Sequence, residues 1–232
     1  MLKEINNHIF FTAICLVFII VLFEYTFLDI FIQNYFFQID TQSWFLNRDE
    51  PILKFILYDG IKKLLIVFAV LILLSLIFFR KKVLIRKYKN GLIILLLSSI
   101  IVPLSVGSLK AVSNTPCPKN IEYYGGEYPD IKVFEEYPKE FVQKEKIKCW
   151  PAGHASGGFA LMALFFLFKK RRNQILALSF AITIGWSMGL YKMLIGDHFL
   201  SHTFVTMTLA WLIILILAKI LQRKEIEKST QI

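Results

Sequence analysis

The chain has 232 residues, a net charge of +10 and a mean hydropathy of +0.58, with 56% hydrophobic residues and 22 phenylalanines. That is too apolar for an ordinary soluble domain of this length. The excess charge does not indicate a nucleic-acid partner, because Lys and Arg stand in short blocks between apolar runs, which is how membrane proteins carry them.

Six apolar stretches approach the roughly 20 residues needed to cross about 30 Å of hydrocarbon: about 9–28, 61–79, 91–110, 153–168, 175–195 and 202–218. The expected fold is all-α, an integral membrane six-helix bundle forming one domain over 1–232. The first run resembles a signal peptide but leads into Glu24 and Tyr25 with no small-residue cleavage site, so it reads as an uncleaved helix. Cys15, inside it, reads as a packing residue. The fourth stretch is short and holds glycines and a histidine.

Charge sets the expected orientation. The connector 80–90, "RKKVLIRKYKN", carries six Lys or Arg and no acid, and 169–174, "KKRRNQ", carries four. The tail adds Lys219, Arg223, Lys224 and Lys228. In a six-helix chain these segments and the N-terminus share one side, the cytoplasmic one. The segments about 29–60 and 111–152 are then external. Residues 111–150 carry six Lys against seven acids, the near-neutral balance expected opposite the basic loops. Residues 29–60 hold Tyr35, Phe36, Phe37, Trp44 and Phe45, which suits an interfacial hairpin or helix. "YYGGEYPD" reads as a turn.

There are four histidines. His8 lies near the N-terminus and has no evident role. In this topology His154, His198 and His202 all fall near the external face. Lys110 ends the third apolar stretch on that side. Lys192 lies inside the fifth, roughly 9 Å of helical rise before His198. A lysine within a spanning segment is costly and points to function, although both lysines have the alternative of snorkelling to the headgroups. Three imidazoles and two ammoniums suit an anion, phosphate above all. Imidazole can attack phosphorus or protonate a leaving oxygen, and lysines and backbone N–H groups can hold phosphoryl oxygens. Gly153 would let backbone approach the ligand; Gly157 and Gly158 read instead as helix-packing glycines.

These residues resemble the type 2 phosphatidic acid phosphatase superfamily, whose pattern is K-x6-R-P, then P-S-G-H, then S-R-x5-H-x3-D. The three blocks here are "KAVSNTPCP" from Lys110 to Pro118, "PAGH" from Pro151 to His154 and "YKMLIGDHFLSH" from Tyr191 to His202. Lys110, Pro118, Pro151, Gly153, His154 and His198 match. Cys117 stands at the arginine, Ala152 at the serine, Tyr191 and Lys192 at Ser-Arg, and His202 at the aspartate. Lysine for arginine is not a neutral exchange at a phosphate site.

The resemblance implies a phosphatase acting on a lipid phosphate or diphosphate at the periplasmic face of a bacterial inner membrane, with both termini cytoplasmic and no cofactor. Undecaprenyl diphosphate, lipid A phosphate and phosphatidylglycerol phosphate are the family's usual substrates. His198 would be the nucleophile and form a phosphohistidine, and His154 would protonate the leaving group. Lys110, Lys192 and the Gly153 amide would hold the phosphoryl oxygens. His202 would take the aspartate's place, accepting a hydrogen bond but lacking a carboxylate's charge, which implies a slower enzyme or an anchoring acid from elsewhere. Asp197 is expected to point to a different side. In an oxidising compartment Cys117 and Cys149 could pair and tie the first block to the second; two free thiols are the alternative. The partners are lipids rather than nucleic acid, with no oligomeric state implied. Three other readings stand beside this one: a lipid phosphotransferase with the same chemistry, a non-catalytic relative, and a metalloenzyme ligated by His154, His198 and His202. The two nearby lysines disfavour the last, so no metal is expected.

Overall fold

The computed structural model describes residues 2–230; the side chains of 2–3 and 224–230, including Lys3, Lys224 and Lys228, lie outside the described set. Seven helices follow in order: α1 (Leu2–Glu24), α2 (Leu28–Gln33), α3 (Pro51–Phe78), α4 (Val83–Val112), α5 (Gly153–Phe166), α6 (Arg171–Leu194) and α7 (Leu200–Thr230). Among the described residues, α1, α3, α4, α6 and α7 are long and apolar enough to cross a membrane. α5 is apolar but shorter, so five full-length crossings are seen where six were expected. Its second half, Leu161–Phe166, tightens to a 3-10 helix.

The second crossing starts ten residues earlier than its apolar pattern suggests. Pro51 follows an extended Glu50 and opens the helix at the position where a missing N–H costs nothing. Residues Phe55–Asp59 then form a π-helical turn. The segment before it is a short helix followed by a two-stranded ribbon, Phe37–Gln38 paired antiparallel with Ser43–Trp44.

α5 is the hub of the bundle. Ala155, Phe159 and Met162 pack in one core with Leu95 and Val102 of α4, Ala181 of α6, and Ala210 and Ile214 of α7. At Gly158 a methyl would lie 2.7 Å from Gly185 Cα, so the α5–α6 crossing requires glycine on both sides. α1 lies along α7. Phe10, Phe11 and Phe18 of α1 and Leu64, Ile66 and Leu71 of α3 point outward and exposed. A soluble protein could not leave such a surface bare, and the whole describes a multi-pass membrane protein.

Loop 113–152 closes one end of the bundle. The Cys117–Cys149 disulfide spans 32 residues of it with Cα atoms 5.2 Å apart. Asn114 and Gln143 exchange amide hydrogen bonds of 2.9 and 2.7 Å, and Tyr128, Tyr137 and Phe141 form a ring cluster. Glu24 at the end of α1 accepts hydrogen bonds from the Val133 and Phe134 N–H groups. "YYGGEYPD" does turn, through a 3-10 helix at Glu122–Tyr124.

Candidate active site

The site lies under that loop, where α6 ends, α7 begins and α5 begins. α6 stops because Gly196 takes a left-handed backbone, φ +72°, which a side chain would oppose. The turn is closed by Asp197 and His198 N–H groups donating to the Lys192 carbonyl at 2.8 and 3.2 Å. Gln33 Nε2 and Leu46 N–H take up the Met193 and Leu194 carbonyls. His198 is thereby held in a rigid corner, 2% exposed.

His202, one turn into α7 and equally buried, presents Nδ1 to His198 Nδ1 at 3.3 Å. His198 precedes α7 by two residues, and the turn brings its ring centre to 5.5 Å from that of His202. His202 also hydrogen-bonds the Cys149 backbone. Its own carbonyl accepts from the Ala152 N–H at 3.2 Å, which fixes the start of α5 against α7. His198 Nε2 is buried and has no hydrogen-bond partner among the described residues. Burial, then the neighbouring His202, Lys110, His154 and Lys192, hold the His198 imidazole well below its usual value, so it is neutral.

His154, at the first turn of α5, has its ring centre 5.7 Å from that of His198. Lys110 lies beside Gly153: a Cβ there would meet Lys110 Cδ at 3.5 Å and Nζ at 4.0 Å. Lys192 is 8% exposed, and its ammonium is 3.0 Å from Asp197 Oδ2. It turns into the protein rather than snorkelling out. The three histidines, Lys110, Lys192 and Gly153 therefore gather in one place, as their spacing suggests.

Several neighbours escaped the sequence reading. Asp197 turns onto Lys192 and also binds Lys119, at 2.8 Å, and Arg48. Burial would raise the Asp197 carboxyl, but Lys119 and Lys192 outweigh it and hold the group below the usual range. Asp197 is thus part of the cationic cluster, not apart from it. Tyr58, in the π turn of α3, places its hydroxyl 2.8 Å from His154 Nδ1. Buried Asp29 of α2 accepts from Ser201 N–H at 2.9 Å and bonds the Ser201 hydroxyl at 2.5 Å, capping α7 from a distant segment. Apart from the Lys192–Asp197 pair, five positions apart, these contacts link residues 78 to 172 positions apart and carry no local signal in sequence; only a polar tyrosine inside an apolar helix hints at any of them.

Cys149, His198 and His202 bring one ligand-type atom each within 4.8 Å of one another. With its sulfur in the disulfide, Cys149 has no thiolate to offer a metal, and the flanking ammoniums oppose a cation.

A cleft of 470 Å³ runs from the site along α3 and α4. Tyr58, Lys62, Gly153 and His154 form its polar end, and Leu65, Ile66, Phe68, Leu96, Ile100 and Pro103 line the rest.

A buried cluster of imidazoles and ammoniums thus lies at one end of the bundle of a multi-pass membrane protein. The chain belongs to the PAP2 superfamily, whose family model matches residues 91–226. Neither a curated protein nor a solved structure gives a significant match. Membership assigns phosphatase-type chemistry on phosphate esters.

Proposed function

We propose that the protein is a membrane phosphatase hydrolysing a lipid phosphate or lipid diphosphate through a phosphohistidine on His198. The observation that carries this reading is the buried, unpartnered Nε2 of His198, whose other nitrogen is engaged by His202. With the proton of His202 directed to the Cys149 backbone, its Nδ1 accepts the His198 Nδ1–H. That leaves the Nε2 lone pair of His198 free to attack. In the first step Nε2 bonds to phosphorus, the bond from phosphorus to the leaving oxygen breaks, and His154 supplies the leaving group's proton. In the second, water attacks phosphorus, His154 takes the water's proton, and the N–P bond breaks. Lys110, Lys192 and the Gly153 amide hold the phosphoryl oxygens.

The apolar cleft supports a lipid, because it joins the site to the bundle's hydrocarbon-facing side at a size suited to an acyl or prenyl chain. A periplasmic site is supported by two features. The basic connectors lie at the end opposite the site, and a disulfide belongs to an oxidising compartment. The test is phosphate release by purified protein from a panel of lipid mono- and diphosphates. The expectation is release from at least one substrate and a loss of more than about 10³-fold in His198→Gln. No release from any substrate would defeat the enzyme reading, and full activity in His198→Gln would defeat the nucleophile.

A further inference from the structure

Tyr58 lies outside the residues matched by the family model and outside all three motif blocks. Its hydroxyl is 2.8 Å from His154 Nδ1, and the two rings meet edge to face, 4.8 Å apart at 82°. The Lys192 ammonium stands 4.6 Å above the Tyr58 ring. The residue sits in the π turn Phe55–Asp59, where a methyl on the next residue, Gly60, would lie 2.8 Å from the Phe55 carbonyl oxygen. Such turns re-aim side chains and recur at functional sites.

We propose that Tyr58 is the positioning residue that fixes the orientation and tautomer of His154; this rests on the reading of His154 as the proton donor. A histidine that gives a proton from Nε2 and later takes one back must keep a proton on Nδ1 throughout. The alternative neutral tautomer, protonated at Nε2, cannot accept the water's proton there. A phenol oxygen at Nδ1 accepts that N–H in both the charged and neutral ring, so it holds the ring in the useful form. The phenol keeps its own proton, and only Nε2 cycles. The charges facing His154 are Lys192 of α6, Lys110 of α4, Lys62 of α3 and Asp197 of the α6–α7 turn. Burial first, and then the three cations among these four charges, disfavour an imidazolium; a Tyr58 oxygen accepting the Nδ1–H works in the opposite sense. The cation–π contact also ties Lys192 to the same ring, so one side chain sets the position of both the acid and a phosphate-binding ammonium.

The test is Tyr58→Phe, which keeps the ring under Lys192 and removes only the oxygen. A lipid monophosphate expels an alkoxide and needs the acid; the diphosphate of the same lipid expels a phosphate and needs it far less. Tyr58→Phe is expected to lower kcat on the monophosphate about 10-fold with KM within about 2-fold, and to leave the diphosphate within about 2-fold. On the monophosphate, the basic limb of the kcat profile should move to lower pH. Equal loss on both substrates, or an unmoved basic limb, would overturn the inference. His154→Ala separates the two levels. If it too shows no leaving-group dependence, the reading of His154 as acid fails. If it does and Tyr58→Phe does not, only the role of Tyr58 falls.

Discussion

The two halves of the chain contribute different things to one site. Residues 91–226, the part matched by the family model, supply every candidate reacting group: Lys110, His154, Lys192, His198 and His202. Residues before 91 supply supports. Asp29 caps α7, Gln33 closes the end of α6, Arg48 binds Asp197, and Tyr58 binds His154. The candidate reacting groups lie at four helix ends and one turn, each within a short motif block. The supports reach them only through the fold. The candidate reacting groups fall in recognisable motif blocks, while the contacts that would preorganise them do not.

That division can be broken at several points. Among the reacting groups, His202→Ala should lower turnover about 10²-fold by leaving His198 Nδ1 without an acceptor, and His202→Asp should recover at least about 10-fold of that loss. Equal rates in the two variants, measured by phosphate release, would show that His202 does not orient His198.

Of the tethers, the disulfide is expected to matter most for stability. Replacing Cys117 and Cys149 by alanine removes a 32-residue closure and should cost about 3 kcal/mol, read by thermal unfolding in detergent.

Asp29 gives a pH signature. Burial raises its carboxyl from 3.8 to about 6, with the Ser201 hydrogen bonds only partly opposing. For a carboxyl whose folded value is raised, the stability contribution is full below the unfolded value and falls as pH rises through the folded one. The wild type should therefore lose about 1–3 kcal/mol relative to Asp29→Asn between pH 4 and pH 7. Parallel stability profiles for the two proteins would contradict the buried, strained ionisation of this cap.

The smallest effect belongs to Arg48, whose side chain is 46% exposed. Arg48→Ala should raise KM no more than about 2- to 3-fold, with the change fading at high salt. A large loss in kcat would move Arg48 from support to chemistry.

The helical bundle and the grouping of the candidate site residues were legible in sequence for the same reason. Long apolar runs and the spacing from Lys192 to His202 are local patterns that a membrane helix must obey. Legibility failed where tertiary contact decided the outcome. The apolar pattern could not see that Pro51 begins α3 ten residues early and so brings Tyr58 into the helix. It placed Asp197 away from the site, because helical geometry alone turns adjacent residues apart. Gly196 ends the helix before that geometry applies, and the carboxylate swings onto Lys192. Cations also reach the neighbourhood of Cys117, where the family pattern has arginine, through contacts the spacing does not show. Lys119, two residues on, and Arg48, far upstream, bring cations to the same turn through Asp197.

His198 Nε2, in the proposed mechanism, carries the phosphoryl group during turnover. Rapid acid-free quenching of the enzyme with a phosphate-labelled lipid substrate, followed by peptide mapping, tests it directly. The account predicts an alkali-stable, acid-labile phosphoryl group on His198 that appears at the rate of turnover and is absent from His198→Gln. Turnover with label on another residue, or with no covalent label in His202 and His154 variants that slow its breakdown, would contradict it.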